Sequence, residues 1–352
     1  MSNIVIQSAN KQYSIIFGED LSGVNTERSF FIIDRILVTN TWVQSLEVSK
    51  VIYVDGSETT KTIEYAAKLL EQLATLGATR KSQLVAVGGG SIQDVVTLCA
   101  SLYMRGIPWI YVPSTYMSIT DSCIGGKSAI NVGNYKNLVG NFYPPDKIFV
   151  SESFLESLGP ISISSGLCEA VKIQIAKSAK DFADFKSDYD LYCISGKSYH
   201  LMDIAKKSLI TKKWFIEIDE FDQNERKLLN YGHSFGHALE SASGMTIPHG
   251  LAIGIGMLVA NSLVIENDYL RTVNQVIIEI LQRSGFNFSS LNIDLGIFKN
   301  ALKIDKKNTQ KIQALILPNS KDSLELFESS IEDSKLERQT EALTNAILKV
   351  SA

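Results

Sequence analysis

The chain has 352 residues, 45% of them hydrophobic, which is long enough for two ordinary globular domains. Its formal net charge of −4 provides no basic surface for nucleic acid, so we expect a small-molecule ligand held by local cations. No apolar run reaches the length of a membrane span, and residues 1–14 lack the pattern of a signal peptide, which favours a cytoplasmic location.

The first part of the chain alternates strand-like and helix-like segments. Residues 30–40 and 50–56 predict strands, and residues 62–78 predict an amphipathic helix. Residues 83–90 predict a buried strand that runs into three glycines and a further helix, and residues 107–115 predict another strand. This alternation is typical of a parallel sheet with helices on both faces.

After about residue 155 the sequence changes to long helical stretches, such as residues 166–185, 200–215 and 250–267. We therefore expect an α/β domain over residues 1–155, with a parallel-sheet nucleotide-binding core, and a mostly α-helical domain over residues 156–352. The four cysteines have no CxxC spacing and lie in apolar contexts, so we expect buried free thiols at Cys99, Cys123, Cys168 and Cys193.

The glycines at 88–90 follow a predicted strand and open a helix. Backbone amides at the positive end of a helix can accept a pyrophosphate, although a tight turn would explain the glycines equally well and the run is not GxGxxG. Polar and glycine-rich loops at residues 113–115, 121–127 and 136–140 support a ligand site. They are expected at the carboxyl edge of the sheet, where open α/β sheets bind ligands.

A polar stripe in the second half is the strongest functional signal. Three of the four histidines, His233, His237 and His249, lie close together in the sequence, and Arg226 and Asn230 precede them at helical spacing. Positions three and four apart share a helix face, so we expect one continuous polar face from Arg226 to His237. Paired imidazoles suit a divalent metal, but the HxxxH pair lacks the Glu of a zinc protease helix.

These motifs in this order resemble the 3-dehydroquinate synthase family of sugar-phosphate cyclases. The resemblance covers nearly the whole chain, through ETTK, GGGSIQD, YMRG, VPST, DSCIGGK, KNLVG, GLCEAVK, LLNYGHSFGH, PHG and DKK. It implies a carbon–oxygen lyase that converts 3-deoxy-D-arabino-heptulosonate 7-phosphate into 3-dehydroquinate with loss of phosphate, in the shikimate pathway of aromatic amino acid biosynthesis. It also implies one divalent metal, Zn or Co, and an NAD that is used and regenerated within each turnover.

The resemblance also implies roles for individual residues. The metal ligands would be Glu169, His233 and His249. The cofactor contacts would be Asn40, Glu58, Lys61, Gly89, Gly90, Ser91, Asp94, Ser114, Thr115, Asp121, Lys127, Lys136, Phe154 and Ser157. The catalytic and substrate-facing residues would be Arg105, Asp121, Lys127, Lys136, Asn137, Lys172, Lys212, Arg226, Asn230, His237 and Lys307. Within this set, Arg226 and Lys212 would bind the substrate carboxylate, and Arg105 would serve a neighbouring subunit of a homodimer.

Several residues depart from the family pattern, at Asn40, Ser114, Tyr135, Ile173 and Leu251. Leu251 stands where a carboxylate usually follows the last His-Gly, so we expect altered metal affinity or cofactor preference. These departures leave open a specialised cyclase of secondary metabolism, of the amino-dehydroquinate, 2-deoxy-scyllo-inosose or epi-valiolone type. A glycerol or polyol dehydrogenase is a more distant alternative, because clustered cations without an anionic substrate would be costly there.

Overall fold

The computed structural model describes residues 3–18, 21, 24–133, 135–304 and 312–351. It divides the chain into two compact units. The first comprises Met1–Leu158 with Lys212–Glu220, and the second comprises Gly159–Thr211 with Phe221–Ala352. The segment Lys212–Glu220, which the sequence placed with the second half, thus belongs with the first unit.

The first unit is built on a seven-stranded sheet that is mostly parallel, as the alternating segments predict. The described strands of this unit, in the main sheet and outside it, are β1 (Ile4–Gln7), β2 (Gln12–Phe17), β3 (Ser29–Asp34), β4 (Val51–Val54), β5 (Gln83–Gly88), β6 (Trp109–Pro113), β7 (Lys127–Val132), β8 (Tyr135–Phe142) and β9 (Lys147–Val150). The sheet order is β1-β2-β9-β6-β5-β3-β4, and every neighbouring pair is parallel except β1 and β2. Strands β7 and β8 form a separate antiparallel hairpin.

The helices of this unit are α1 (Thr41–Gln44), α2 (Ile63–Thr75) and α3 (Gly90–Leu102). Helix α2 buries Ala66, Leu69 and Leu73, at the spacing of one helix face. Strands β5 and β6 are buried along their whole length, which is why their sequences are nearly continuous apolar runs rather than alternating ones.

The strand order places the glycine turn at a particular point of the sheet. Strand β3 lies between β4 and β5, so the chain leaves β3 towards one edge and later continues on its other side. The order therefore reverses between β3 and β5, whose carboxyl ends are Asp34 and Gly88. In open α/β sheets, ligands bind outside the carboxyl ends of strands at such a switch point.

The second unit is mostly helical, as predicted. Its helices are α4 (Pro160–Lys177), α5 (Ala179–Ser195), α6 (Ser198–Ile218), α7 (His233–Ala242), α8 (His249–Ser262), α9 (Asp268–Arg283), α10 (Leu295–Lys303) and α11 (Asp333–Ser351), and the division between the units falls within α6. An antiparallel hairpin of β10 (Ile312–Pro318) and β11 (Leu324–Ser330) was not anticipated from the sequence. No helix in the described part of the chain is long and apolar enough to cross a membrane.

The expected continuous helix from Arg226 to His237 is wrong. A 3-10 helix over Glu225–Asn230 ends before Gly232, and α7 begins only at His233. Gly232 has a φ of 76°, and a Cβ there would lie 2.8 Å from the carbonyl oxygen of Ile253 in α8. The backbone therefore turns against a neighbouring helix at this point, which sequence periodicity does not reveal.

The cysteine prediction holds for three of the four thiols. Cys99, Cys123 and Cys168 are buried and free, whereas Cys193 is free but only partly buried. Burial raises the pKa of the Cys99 and Cys123 thiols to about 12, so both are protonated at neutral pH.

Candidate functional site

The three sequence-predicted histidines come together in the second unit. His233 and His237 lie one turn apart on α7, and His249 is the first residue of α8. One ring nitrogen of each lies within 4.8 Å of the others, and the ring centroids are 5.3 to 5.8 Å apart. Side chains of this type and spacing can hold a divalent metal.

Close packing of α7 against α8 brings His249 to the other two histidines. A Cβ at Gly256 would lie 2.1 Å from the carbonyl oxygen of Gly232, and one at Gly236 would lie 2.7 Å from Ile253. Only glycine allows the two helix backbones to approach this closely. The apolar and glycine-rich sequence of α8 is therefore what fixes the distance between the histidines.

The carboxylate of Glu169 faces His249. Glu169 lies on α4 with 1% of its surface exposed, and its Oε2 accepts a hydrogen bond from Lys172. Its Oε1 is buried without a hydrogen-bond donor among the described residues, although it lies 3.4 Å from Nε2 of His249. Two ligand atoms on a tetrahedral zinc with bonds of about 2.0–2.1 Å are about 3.3 Å apart, so this gap fits a shared metal.

A second carboxylate lies on the other side of the His249 ring. Oε2 of Glu240 is 3.3 Å from Nδ1 of His249. Burial by itself lowers the pKa of His249, but Glu169 and Glu240 together outweigh it and raise the pKa to about 10. A metal at Nε2 would displace the proton that this environment favours, and the nearby carboxylates would stabilise either cation.

The glycine turn of the first unit fits the pyrophosphate of a dinucleotide. Gly89 is the N-cap of α3 and has no side chain to accept from the first-turn N–H groups. A Cβ at Gly90 would meet only Ser122 Oγ, at 3.8 Å, among described atoms, whereas one at Gly89 would lie 2.9 Å from Thr115 Cγ2. Ser91 is partly buried on this turn, and the Ser114 N–H donates to Gly88.

Lys61 and Asp94 form a buried ion pair in the first unit. Lys61 Nζ lies 2.8 Å from Asp94 and 3.6 Å from Glu58, and it donates to Oδ1 of Asn137 at 3.0 Å. Burial alone lowers the pKa of Lys61, but Asp94 outweighs it and the pKa is raised. Burial raises the pKa of Asp94 despite its partners. The raised pKa of Lys61 favours its charged form, whereas the raised pKa of Asp94 favours its neutral form. We take the pair as ionised, because the 2.8 Å contact with Lys61 and the hydrogen bond from the Ala129 N–H both stabilise the Asp94 carboxylate.

Three predicted cofactor contacts have structural roles in the first unit. Asn40 caps α1 by accepting from the N–H groups of Trp42 and Val43 at 3.0 and 3.3 Å. Phe154 is fully buried against Trp42, with ring centroids 5.3 Å apart, and Ser157 Oγ donates to the Phe154 carbonyl. Their side chains are thus used for capping and packing.

The predicted anion-binding cations have internal counterions. Lys212 lies 2.5 Å from Oδ1 of Asp121 within the first unit, and Arg226 Nε lies 3.2 Å from Asp222 within the second. From the sequence, clustered cations such as Lys212 and Arg226 were expected to need the substrate anion to offset their charge. Asp121 and Asp222 already supply that offset, so a substrate anion would have to compete with them.

The remaining predicted residues occupy several environments. In the first unit, Lys127 is exposed with Nζ 6.0 Å from the Phe142 ring, and Lys136 is partly buried. In the second, Asn230 lines a cavity of about 320 Å³ together with Asp222, Lys227, Ser234, Ala314, Ile316, Leu326 and Glu328. The prediction for Lys307 lies outside the described residues.

Arg105 lies on a strained turn after α3. Met104 and Arg105 have φ values of 50° and 69°, and both side chains are exposed. Such angles are unfavourable for residues other than glycine and are retained chiefly where the surrounding structure or a function requires them.

Sequence reasoning missed Asp222 and Glu240. Glu240 follows His233 by seven residues, two helical turns later on the same face of α7, so helical spacing could have identified it. Asp222 precedes Arg226 by four residues, but its φ of 59° places it outside any helix and leaves no periodic signal.

Comparison with known proteins assigns most of the chain to known families. The family model "3-dehydroquinate synthase N-terminal" matches residues 51–165, and "3-dehydroquinate synthase C-terminal" matches residues 166–308. The chain is 32% identical over 338 residues to a 3-dehydroquinate synthase of Dictyoglomus turgidum, covering 93% of this chain and 95% of the relative. It is 33% identical over 341 residues to that of Dictyoglomus thermophilum, covering 94% and 95%.

A solved structure shares the fold over almost the whole chain. It is a 2-deoxy-scyllo-inosose synthase complexed with carbaglucose-6-phosphate, NAD+ and Co2+, with a TM-score of 0.79 and 22% identity. The match covers 96% of this chain and 98% of that one. At this identity the match establishes the architecture of the fold.

Proposed function

The chain belongs to the 3-dehydroquinate synthase family of lyases, and from that premise we propose that it is a 3-dehydroquinate synthase. The proposed reaction cyclises 3-deoxy-D-arabino-heptulosonate 7-phosphate to 3-dehydroquinate with loss of phosphate. The observation that carries this choice is full-length similarity, at 32% and 33% identity, to two proteins of that name. The 2-deoxy-scyllo-inosose synthase, whose structure holds carbaglucose-6-phosphate, is 22% identical.

We propose that Glu169, His233 and His249 hold one divalent metal, Zn or Co. The donor set of two imidazoles and one carboxylate is suited to a catalytic metal, and the buried Oε1 of Glu169, 3.4 Å from Nε2 of His249, supports it. When bound, the metal would polarise a substrate oxygen. Lys172 contributes by holding the other carboxylate oxygen, which restricts the rotation of Glu169.

We propose that the switch point of the first unit binds NAD. The α3 amides at Gly89 and Gly90 would hold the pyrophosphate, with Thr115 beside them. When bound, NAD would accept and return a hydride within one turnover. The ion pair of Lys61 with Asp94 fixes the hairpin β7–β8 against α3 and so shapes this edge of the unit.

We propose that Arg226 and Lys212 bind the substrate carboxylate and that Asn230 and His237 contact its phosphate. Arg226 is 3% exposed, so its guanidinium is largely desolvated and its charged hydrogen bonds are strong. Asp222 holds Arg226 in place before an anion arrives. We also propose that the protein is a homodimer in which Arg105 reaches the partner subunit, a role that the strained, exposed turn at Met104 and Arg105 supports.

A specialised sugar-phosphate cyclase is the second candidate, favoured by the departures at Leu251 and Tyr135. The test compares phosphate release from the heptulosonate phosphate, sedoheptulose 7-phosphate and glucose 6-phosphate. We expect the heptulosonate phosphate to be preferred, with no net rise in reduced-nicotinamide absorbance. Preference for a sugar phosphate without a carboxylate would favour the second candidate, and stoichiometric NADH would favour a polyol dehydrogenase. The His200→Ala variant serves as a control, because this histidine lies outside the cluster.

A further inference from the structure

Each of two histidines in the cluster has its Nδ1 atom beside an acceptor from the protein. Nδ1 of His233 lies 3.2 Å from the carbonyl oxygen of Tyr231, just before α7. Nδ1 of His249 lies 3.3 Å from Oε2 of Glu240, near the end of the same helix. A metal bound at Nε2 of either imidazole leaves the proton on Nδ1, where it can be donated to these acceptors.

The two acceptors differ in kind. The carbonyl of Tyr231 is part of the backbone and would be retained after any substitution of that residue. Glu240 contributes a side chain, 12% exposed, from α7. It is therefore the part of this arrangement that mutation can remove.

The Glu240 contact is fixed by the packing of α7 on α8. The two helices approach through Gly236 and Gly256, where a Cβ would clash with the facing helix. His249 is the first residue of α8, so the packing of the two helices fixes the position of its backbone relative to Glu240. The carboxylate and the imidazole are thus held together before any metal binds, which limits the entropy lost on binding.

Leu251 makes this contact more important in this chain. The family resemblance leads us to expect a carboxylate two residues after His249, and the residue there is a leucine with 0% exposure inside α8. An acidic side chain near the site is supplied instead from α7, by Glu240. Glu240 thus provides a carboxylate beside Nδ1 of His249 in a chain that has none at position 251.

We propose that Glu240 is the positioning residue for His249, fixing the tautomer and orientation with which His249 binds the metal. This inference rests on the proposed metal site but not on which sugar phosphate is cyclised. Glu240 acts through His249. It is therefore expected to affect metal affinity and coordination geometry before it affects catalysis.

The test measures dissociation constants of purified protein for Co2+ and Zn2+ by competition with a chromophoric chelator, without substrate. We expect Glu240→Ala to weaken both by about 10- to 100-fold. Glu240→Gln should weaken them by no more than about tenfold, because its amide oxygen still accepts a hydrogen bond, although a weaker one. The visible absorption bands of the Co2+-loaded protein should shift in Glu240→Ala and stay near the wild-type positions in Glu240→Gln.

The matched control is Glu279→Ala, which removes a carboxylate paired with Arg283 at 2.9 Å on α9. Its metal affinity should equal that of the wild type. Thermal unfolding of the metal-free variants identifies any that fail to fold, in which case Glu240→Gln and its Co2+ spectrum carry the test. Unchanged affinity in Glu240→Ala, or equal loss in Glu240→Gln and Glu240→Ala, would overturn the proposal. A wild type that binds metal tightly but does not cyclise the heptulosonate phosphate would refute the proposed function alone.

Discussion

Replacing Lys61 by Met should destabilise the first unit by leaving Asp94 buried without its cation. Methionine keeps the approximate length and apolar volume of the lysine stem, so the main change is the lost charge. Asp94 loses the 2.8 Å contact to Nζ, and Asn137 loses the hydrogen bond that its Oδ1 accepts at 3.0 Å. Burial raises the pKa of Asp94 even with Lys61 present, so the carboxylate without it is still more costly.

The size of the effect follows from the environment of the pair. Removing one partner of a fully buried ion pair costs roughly 3–5 kcal/mol. The Asp94 side chain is 19% exposed and keeps the Ala129 N–H bond, so we expect about 2–3 kcal/mol. For a unit of this size, each kcal/mol lowers the unfolding midpoint by about 2–4 °C, so the midpoint should fall by about 4–12 °C.

Tryptophan fluorescence during urea unfolding measures this change. All three tryptophans, Trp42, Trp109 and Trp214, belong to the first unit, so the signal reports on that unit. Lys68→Met, on the exposed side of α2, is the matched control and should change stability by less than about 0.5 kcal/mol.

A double-mutant cycle with Asp94→Asn separates the pair from other effects. We expect the two substitutions together to cost less than the sum of the single ones, with a coupling of about 1–3 kcal/mol. If Lys61→Met unfolds within about 0.5 kcal/mol of the wild type, or if the two substitutions are additive, the reasoning from the buried pair is refuted.

Four further changes test other parts of the molecule. His233→Ala should abolish retention of a divalent metal through dialysis and with it phosphate release; a fully metallated, active variant would contradict the ligand assignment. Arg105→Ala should impair phosphate release while sedimentation still shows a dimer, and an active wild-type monomer would exclude the shared-site proposal. Arg226→Ala should lower kcat/KM for the heptulosonate phosphate by about 10- to 150-fold, because it removes a charged hydrogen bond worth about 1.5–3 kcal/mol. The loss of kcat/KM for sedoheptulose 7-phosphate should be smaller, and equal losses would argue against carboxylate binding. Gly250→Ala should destabilise the second unit by about 3 kcal/mol, because its Cβ would lie 2.2 Å from the backbone oxygen of Ser165, and near-normal urea unfolding would show that α8 can shift.

The sequence by itself determined the fold class and the ingredients of the site. Apolar runs such as β5 and β6 predict buried parallel strands, because a strand covered on both faces has no polar side. The cluster of His233, His237 and His249 is visible at short range because two of its members are one helical turn apart. The family resemblance added Glu169, which lies on a different helix and has no local relation to the histidines.

Only the tertiary structure decided how these groups are arranged. Periodicity extended one helix through Gly232, but the backbone turns there because α8 packs against it. Lys212 and Arg226 each have a carboxylate partner distant in sequence or outside a helix, so no pattern predicted Asp121 or Asp222 as their counterions. The contact of Glu240 with His249 likewise depends on the close approach of α7 and α8, since the chain between them sets no such distance. Contacts of this kind arise when whole helices and strands pack together, whereas local sequence patterns predict only the individual helices and strands.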